Sequence, residues 1–242
     1  MTSARWFTVS AMVLALGAGQ ALATPIISLE AGFATELEAR NQDNFQVDEV
    51  DDKWVWSGGP WVEEELGWTI ESFEVTFSDN PFLASTFTVT NNTAQTQSFV
   101  LDLTLPSGVD FANTLASGWF EASLTDNTGD GASLAATAGE AMYSGWVAGQ
   151  LVQQLRPYPD GLSFAAGAQG VEVVLNQLSF ADVAGPALSV GDPVTLRHRV
   201  DISAGDTATL SGELTIIPEP GAVVMLGVGA MLLLGRRRRR EG

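Results

Sequence analysis

The chain of 242 residues has no cysteine and a single histidine, His198. Without thiols there are no disulfides, no thiolate metal ligands and no cysteine nucleophile. One histidine excludes a zinc centre built on clustered imidazoles. Positive charge is also scarce. Between Thr24 and Pro220 only Arg40, Lys53, Arg156, Arg197 and Arg199 are basic, five against twenty-eight acids, a net of −23. A body this acidic repels phosphate backbones, which excludes nucleic acid as a partner. No serine stands in a Gly-x-Ser-x-Gly elbow, and a Ser-His-Asp triad would have to use His198.

The remaining basic residues sit at the two ends. Arg5 precedes an apolar run from Phe7 to Gly19, broken only by Thr8 and Ser10. Ala21 and Ala23 place small residues where a signal peptidase needs them, so the start reads as a secretory signal cut after Ala23. The run is shorter than the roughly 20 residues of a spanning helix.

At the other end, Ile217-Pro218-Glu219-Pro220 is followed by an uncharged segment from Gly221 to Gly235 and then by Arg236, Arg237, Arg238, Arg239 and Arg240. As a helix that segment rises roughly 22 Å, short of a hydrocarbon core of about 30 Å. The arginines extend it by snorkelling. The positive-inside rule keeps them, like Arg5, on the cytoplasmic face and leaves the acidic body outside. Pro218 and Pro220 lack backbone donors and hold the chain extended. They end a preceding strand and present an accessible peptide just outside the membrane.

This order of parts resembles the PEP-CTERM sorting domain. The resemblance covers Ile217 to Gly242 and the signal peptide that such proteins also carry, with Gly221 where Ser or Ala is usual. It implies a Gram-negative, exopolysaccharide-producing source and export through the inner membrane. It implies recognition by an exosortase, a membrane-embedded cysteine transpeptidase-like enzyme. The tail would hold the inner membrane transiently, and its processing would send the body to the cell surface or extracellular matrix. The chain then divides into a signal peptide (1–23), an acidic domain (24–217) and a sorting tail (218–242).

The acidic domain shows no long helical periodicity. It shows period-2 alternation between turn signals, the mark of antiparallel strands. Phe73, Val75 and Phe77 share a face, as do Phe87 and Val89, and Phe99, Leu101, Leu103 and Leu105. The polar loop from Asn91 to Gln97 predicts that the last two pair as a hairpin. Leu105-Pro106-Ser107-Gly108 stops the second of them. Val194, Leu196, His198, Val200 and Ile202 alternate with polar residues, as do Ala208, Leu210, Gly212, Leu214 and Ile216. The turn at Ala204-Gly205-Asp206 predicts a closing hairpin from which the tail emerges. Val171 to Phe180 reads as another strand. Met142 to Leu155 fits either a strand pair or a short helix weakened by Gly145 and Gly149. The fold class is all-β, an antiparallel β-sandwich of immunoglobulin-like or jelly-roll type, with a hydrophobic core as its source of stability. About 190 residues is long for one immunoglobulin-like unit, so a decorated sandwich and two small ones are both open.

Two segments are candidate sites. Asp126-Asn127-Thr128-Gly129-Asp130-Gly131 offers hard oxygen ligands for Ca²⁺ from Asp126, Asn127 and Asp130. It is not an EF-hand, because Thr137 stands at the twelfth place, and an ordinary Asx turn uses the same residues. Trp54, Trp56, Trp61 and Trp68 lie among Asp48, Glu49, Asp51, Asp52, Glu63, Glu64 and Glu65. Trp54, Trp56 and Trp61 beside carboxylates suit stacking on sugar rings, and equally suit a sandwich core. Trp119 and Trp146 read as core. Asn91-Asn92-Thr93 fits the N-glycosylation pattern. No other cofactor is expected. The reading is a non-enzymatic secreted protein with a structural or adhesive role in a polysaccharide matrix. The alternatives are a carbohydrate-binding module or carbohydrate-active enzyme, and a tail-anchored periplasmic protein.

Overall fold

Period-2 alternation becomes strand along the whole domain. The structure is a computed structural model and describes residues 26–31, 33–34, 45–50, 53–63, 67–78, 80–167 and 169–220. Among these residues every regular element is a strand, numbered β1 to β16 along the chain. Ala21, Ala23, the apolar tail segment and Arg236 to Arg240 lie outside the described residues.

The strands form two antiparallel sheets. The first runs in the order β12 (Gln150–Pro157), β11 (Ala141–Val147), β15 (Pro193–Ile202), β8 (Gln97–Pro106), β1 (Ile26–Ala31) and β2 (Phe33–Ala34). On it, β10 (Gly131–Ala136) pairs with one end of β15, and β13 (Gly161–Ala165) pairs with β10. The second runs β14 (Glu172–Gly185), β9 (Thr114–Thr125), β16 (Thr207–Pro218), β7 (Phe82–Asn91), β6 (Trp68–Ser78), β4 (Lys53–Gly58) and β3 (Phe45–Val50). A short β5 (Trp61–Glu63) also pairs with β6.

The apolar faces meet as one core, so the two sheets make one β-sandwich. Phe99, Leu101, Leu103, Leu105, Val194, Leu196, Val200 and Ile202 come from the first sheet. Val75, Leu83, Phe87, Val89, Phe120, Leu124, Ala208, Leu210 and Leu214 come from the second, and all of these are buried. Trp68 of β6 packs on Phe99 of β8 with ring centroids 5.4 Å apart.

The faces are as the alternation predicts, but two connections differ from it. Strands β7 and β8 do not pair. The first lies between β6 and β16, the second between β1 and β15, in opposite sheets. Likewise β15 and β16 belong to opposite sheets. Both expected hairpins are arches over the end of the sandwich. Phe87 and Val89 of one sheet and Phe99 and Leu101 of the other are thereby buried in the same core from opposite sides.

Asn91 ties the two arches together. Its backbone N–H donates to the Asp206 carbonyl at 2.9 Å, and its carbonyl accepts from Gly205 N–H at 2.8 Å. Its side-chain amide donates to the carbonyls of Gln95 (2.8 Å), Ile202 (2.9 Å) and Ser203 (3.1 Å). Asn91 is fully buried, so its side chain is committed to the fold and is closed to glycosylation.

The segment from Met142 to Leu155 is a strand pair, β11 with β12. Ala148 and Gly149 turn it with φ of 49° and 74°. Two successive positive φ values are what a tight turn matched to the sheet twist requires.

Candidate functional site

The tail leaves the body at the end of β16. Pairing with β9 continues to the last residue of the strand, where Pro218 stands opposite Thr114. One more bond follows, from Glu219 N–H to the Asn113 carbonyl at 3.1 Å. Pro220 has no N–H to continue the ladder. Pro218, Glu219 and Pro220 are all exposed. The motif is therefore exposed at the rim of the sandwich, with Pro218 ending β16 and Pro220 beginning a turn.

The turn between β9 and β10 gathers Asp126, Asn127 and Asp130. Asp126 is fully buried. Its Oδ1 accepts from the N–H groups of Thr128 (3.1 Å) and Gly129 (2.6 Å), and its Oδ2 from that of Gly131 (3.1 Å). Asn127 donates through Nδ2 to the Gly205 carbonyl (3.0 Å) and Thr207 Oγ1 (2.8 Å), locking this turn to the β15–β16 arch. Asp130 accepts from the Thr128 hydroxyl. Asp206, also buried, accepts from Asn127 N–H and the Ser203 hydroxyl. Burial holds its carboxyl above the usual range, and the nearby Asp126 and Asp130 add to this. These contacts build an Asx-type turn in which Asp126 and Asp206 cap backbone donors. Among the described residues no group of three or more His, Cys, Asp or Glu is arranged to hold a metal ion.

The tryptophans sort differently from expectation. On β4, Trp54 stands opposite Phe77 and Trp56 opposite Val75. Paired residues in an antiparallel ladder share a face, and Phe77 and Val75 are buried. Trp54 and Trp56 thus point inward at the border of the core, half-buried and packed against it. Trp56 meets Phe73 edge-on, with centroids 5.4 Å apart and an interplanar angle of 81°. Trp61, in β5, is placed by its backbone opposite Ile70 of β6.

Trp119 and Trp146, read as core, are on outer faces and half-buried. The sequence carried the signal: Phe120, Ala122 and Leu124 take the inner parity of β9, leaving Trp119 with Glu121, Ser123 and Thr125. Trp119 Nε1 donates to Glu213 Oε2 at 3.1 Å, and the Thr215 hydroxyl donates to Glu213 Oε1 at 3.1 Å. Trp146 donates to Ser144 Oγ at 3.0 Å and lies under the Arg197 guanidinium, 5.5 Å from its ring centroid. Arg197 in turn forks onto Asp102 across the first sheet.

His198 is fully buried on the inner face of β15. Its Nε2 lies 3.1 Å from Ser85 Oγ on the opposite sheet. Burial lowers its pKa to about 4, offset only weakly by the Met142 backbone. Phe120 and Tyr143 pack on its ring at centroid distances of 5.4 Å and 6.0 Å. This is a core histidine, neutral at physiological pH, as its apolar-face position predicts.

No family model matches the chain, and no curated protein matches it. Among solved structures, TmCBM61 in complex with beta-1,4-galactotriose aligns with 67% of this chain and 100% of its own, at 11% identity and a TM-score of 0.27.

Proposed function

We propose that this is an exported, non-enzymatic β-sandwich protein whose tail is cut near Pro218-Glu219-Pro220, delivering the acidic body to the cell surface or extracellular matrix. Its role there is structural or adhesive. The observation that carries the reading is the exit geometry. The last ladder bond is made at Glu219, inside the motif, and all three motif residues are exposed where the strand ends. A processing enzyme of the exosortase kind needs a backbone it can grip, and here it would meet an exposed strand end that only Pro218 and Glu219 still join to the sheet. The charge of the body fits the destination, because self-repulsion keeps such a protein soluble once released. The site residues do not favour catalysis. His198 is sealed in the core, and in the β9–β10 turn Asp126 is bound to backbone N–H groups and Asp130 to the Thr128 hydroxyl.

The test is the intact mass of the native protein in outer-surface, envelope and medium fractions. The expected species lacks the first 23 residues and everything beyond the Pro-Glu-Pro region, and is found outside the inner membrane. A species that retains Gly221 to Gly242 and stays in the inner membrane would replace this reading with that of a tail-anchored periplasmic protein.

A further inference from the structure

Across β7, β16, β9 and β14 the outer face of the second sheet is rich in hydroxyls and carboxylates, and among the described residues there it carries one indole. Pairing register places its side chains in rows across β7, β16, β9 and β14. One row is Ala84, Glu213, Trp119 and Ser179. The next along the strands is Thr86, Ser211 and Glu121, with Glu74 of β6 beside Thr86. The row after that includes Thr88, Thr209 and Ser123. Strand spacing makes the four-strand patch about 14 Å across, and the rows are roughly 7 Å apart.

The patch is held rigid. Glu213 is fixed by Trp119 on one side and Thr215 on the other. The hydroxyls of Thr86 and Ser211 pair at 3.1 Å, as do those of Thr88 and Thr209. Ala84, flanking Glu213 on the side away from Trp119, leaves the approach to the carboxylate low. An oriented indole, a fixed carboxylate and a field of hydroxyls complement a pyranose ring. The C–H face of the sugar stacks on the indole, and its hydroxyls donate to the carboxylate and exchange hydrogen bonds with Ser and Thr.

Charge decides which sugar. Glu71, Glu74, Glu121 and Glu213 all belong to this face. The described arginines are paired with acids of their own: Arg156 with Asp160, at the β14 edge where it also donates to the Asn176 carbonyl at 2.7 Å, Arg197 with Asp102 and Arg199 with Glu140. Lys53 sits over the Phe82 ring at the far corner, 3.8 Å from its centroid. A uronic-acid or sulfated polymer would meet like charge here, and a neutral one would not.

We infer that the Trp119–Glu213 face of the second sheet binds a neutral polysaccharide. The inference rests on the matrix reading for its setting, since export brings the body to extracellular polymer. Its failure is distinguishable, because tail processing does not involve this face. The experiment is affinity electrophoresis of the full chain in detergent, in gels containing a soluble β-glucan, a galactomannan or polygalacturonate. Retardation is expected with at least one neutral polymer and not with polygalacturonate. Trp119→Ala should weaken it at least tenfold. Glu213→Gln, which keeps an acceptor for the indole, should weaken it severalfold with an unchanged unfolding midpoint. Trp146→Ala, on the opposite outer face, should leave it as it was. No retardation by either neutral polymer, retardation of Trp119→Ala and Glu213→Gln equal to that of wild type, or stronger retardation by polygalacturonate would each overturn the assignment. Intact-mass analysis of Trp119→Ala in the native host should show an unchanged tail cut.

Discussion

The phenol of Tyr143, on the first sheet, crosses the core and donates to the main-chain carbonyl of Glu213, on the second, at 2.7 Å. The crossing is possible because Gly118 is bare. A Cβ there would lie 2.9 Å from the phenol oxygen and 2.2 Å from the Glu213 carbonyl oxygen. Burial holds the phenol neutral far above the ordinary range, and Glu213 reinforces this. Tyr143 is therefore a permanent donor, and it anchors the backbone of the residue whose side chain fixes Trp119. Tyr143→Phe should cost about 1 kcal/mol, the net worth of one buried hydrogen bond. The urea midpoint should fall with no change in slope. A midpoint equal to wild type would show that the bond adds nothing.

Asn91 predicts a larger loss. Its amide nitrogen, with two N–H donors, serves three carbonyls of the arches, and Asn91→Asp replaces it with a carboxylate oxygen facing the carbonyls of Gln95, Ile202 and Ser203. Buried acceptors left unpaired cost about 1–3 kcal/mol each, more near a charge. A destabilisation of at least about 3 kcal/mol is expected by urea unfolding at pH 7. It should shrink as pH falls and the new carboxyl protonates into a donor. A pH-independent loss would mean that the arches do not depend on this amide.

The same arches show where the sequence is legible. Alternation reports which face a side chain takes, and it places Leu101, His198 and Leu210 inward, as observed. It does not report which sheet a strand joins. A polar loop such as Asn91 to Gln97 serves a hairpin or an arch equally well, and the choice is made by long-range pairing of β7 with β16 and β8 with β15. Trp54 and Trp56 illustrate a second limit. Their shared parity is plain, but only the pairing with Phe77 and Val75 tells that the shared face is the inner one. Trp119 was legible from its neighbours Phe120 and Ala122, and its hydrogen bond to Glu213 was not, because 94 residues separate them.

His198 gives the body a pH dependence of defined sign. Folded His198 gains a proton only near pH 4, whereas unfolded histidine gains it near its model value of 6.5. Between these values the unfolded chain binds more protons, so stability is full above about 6.5 and is lost as pH falls toward 4. The shift corresponds to about 3 kcal/mol at most. Asp206, whose carboxyl is raised, works in the opposite sense and loses its contribution as pH rises. The informative quantity is therefore the difference between wild type and His198→Phe, in which Asp206 and the surface acids cancel. Between pH 7 and pH 4 that difference should move by about 3 kcal/mol in favour of the variant. A constant difference would remove His198 as the titrating group.

Trp54 and Trp56 should behave as packing residues and not as a sugar platform. Both border the core, and Trp56 is edge-on to Phe73, which itself stacks on Phe87 at a centroid distance of 5.6 Å. Truncating a fully buried Trp costs about 3–5 kcal/mol. These two are half-buried, so Trp54→Ala and Trp56→Ala should each cost about 2 kcal/mol by urea unfolding. Polysaccharide retention of the folded variants should match wild type, because the outer parity of β4 belongs to Lys53, Val55 and Ser57, and the proposed face lies around Trp119. Loss of retention at an unchanged urea midpoint would return the sugar site to β4. A lower midpoint at unchanged retention would separate the two aromatic groups by role: one closes the core, and the other meets the polysaccharide.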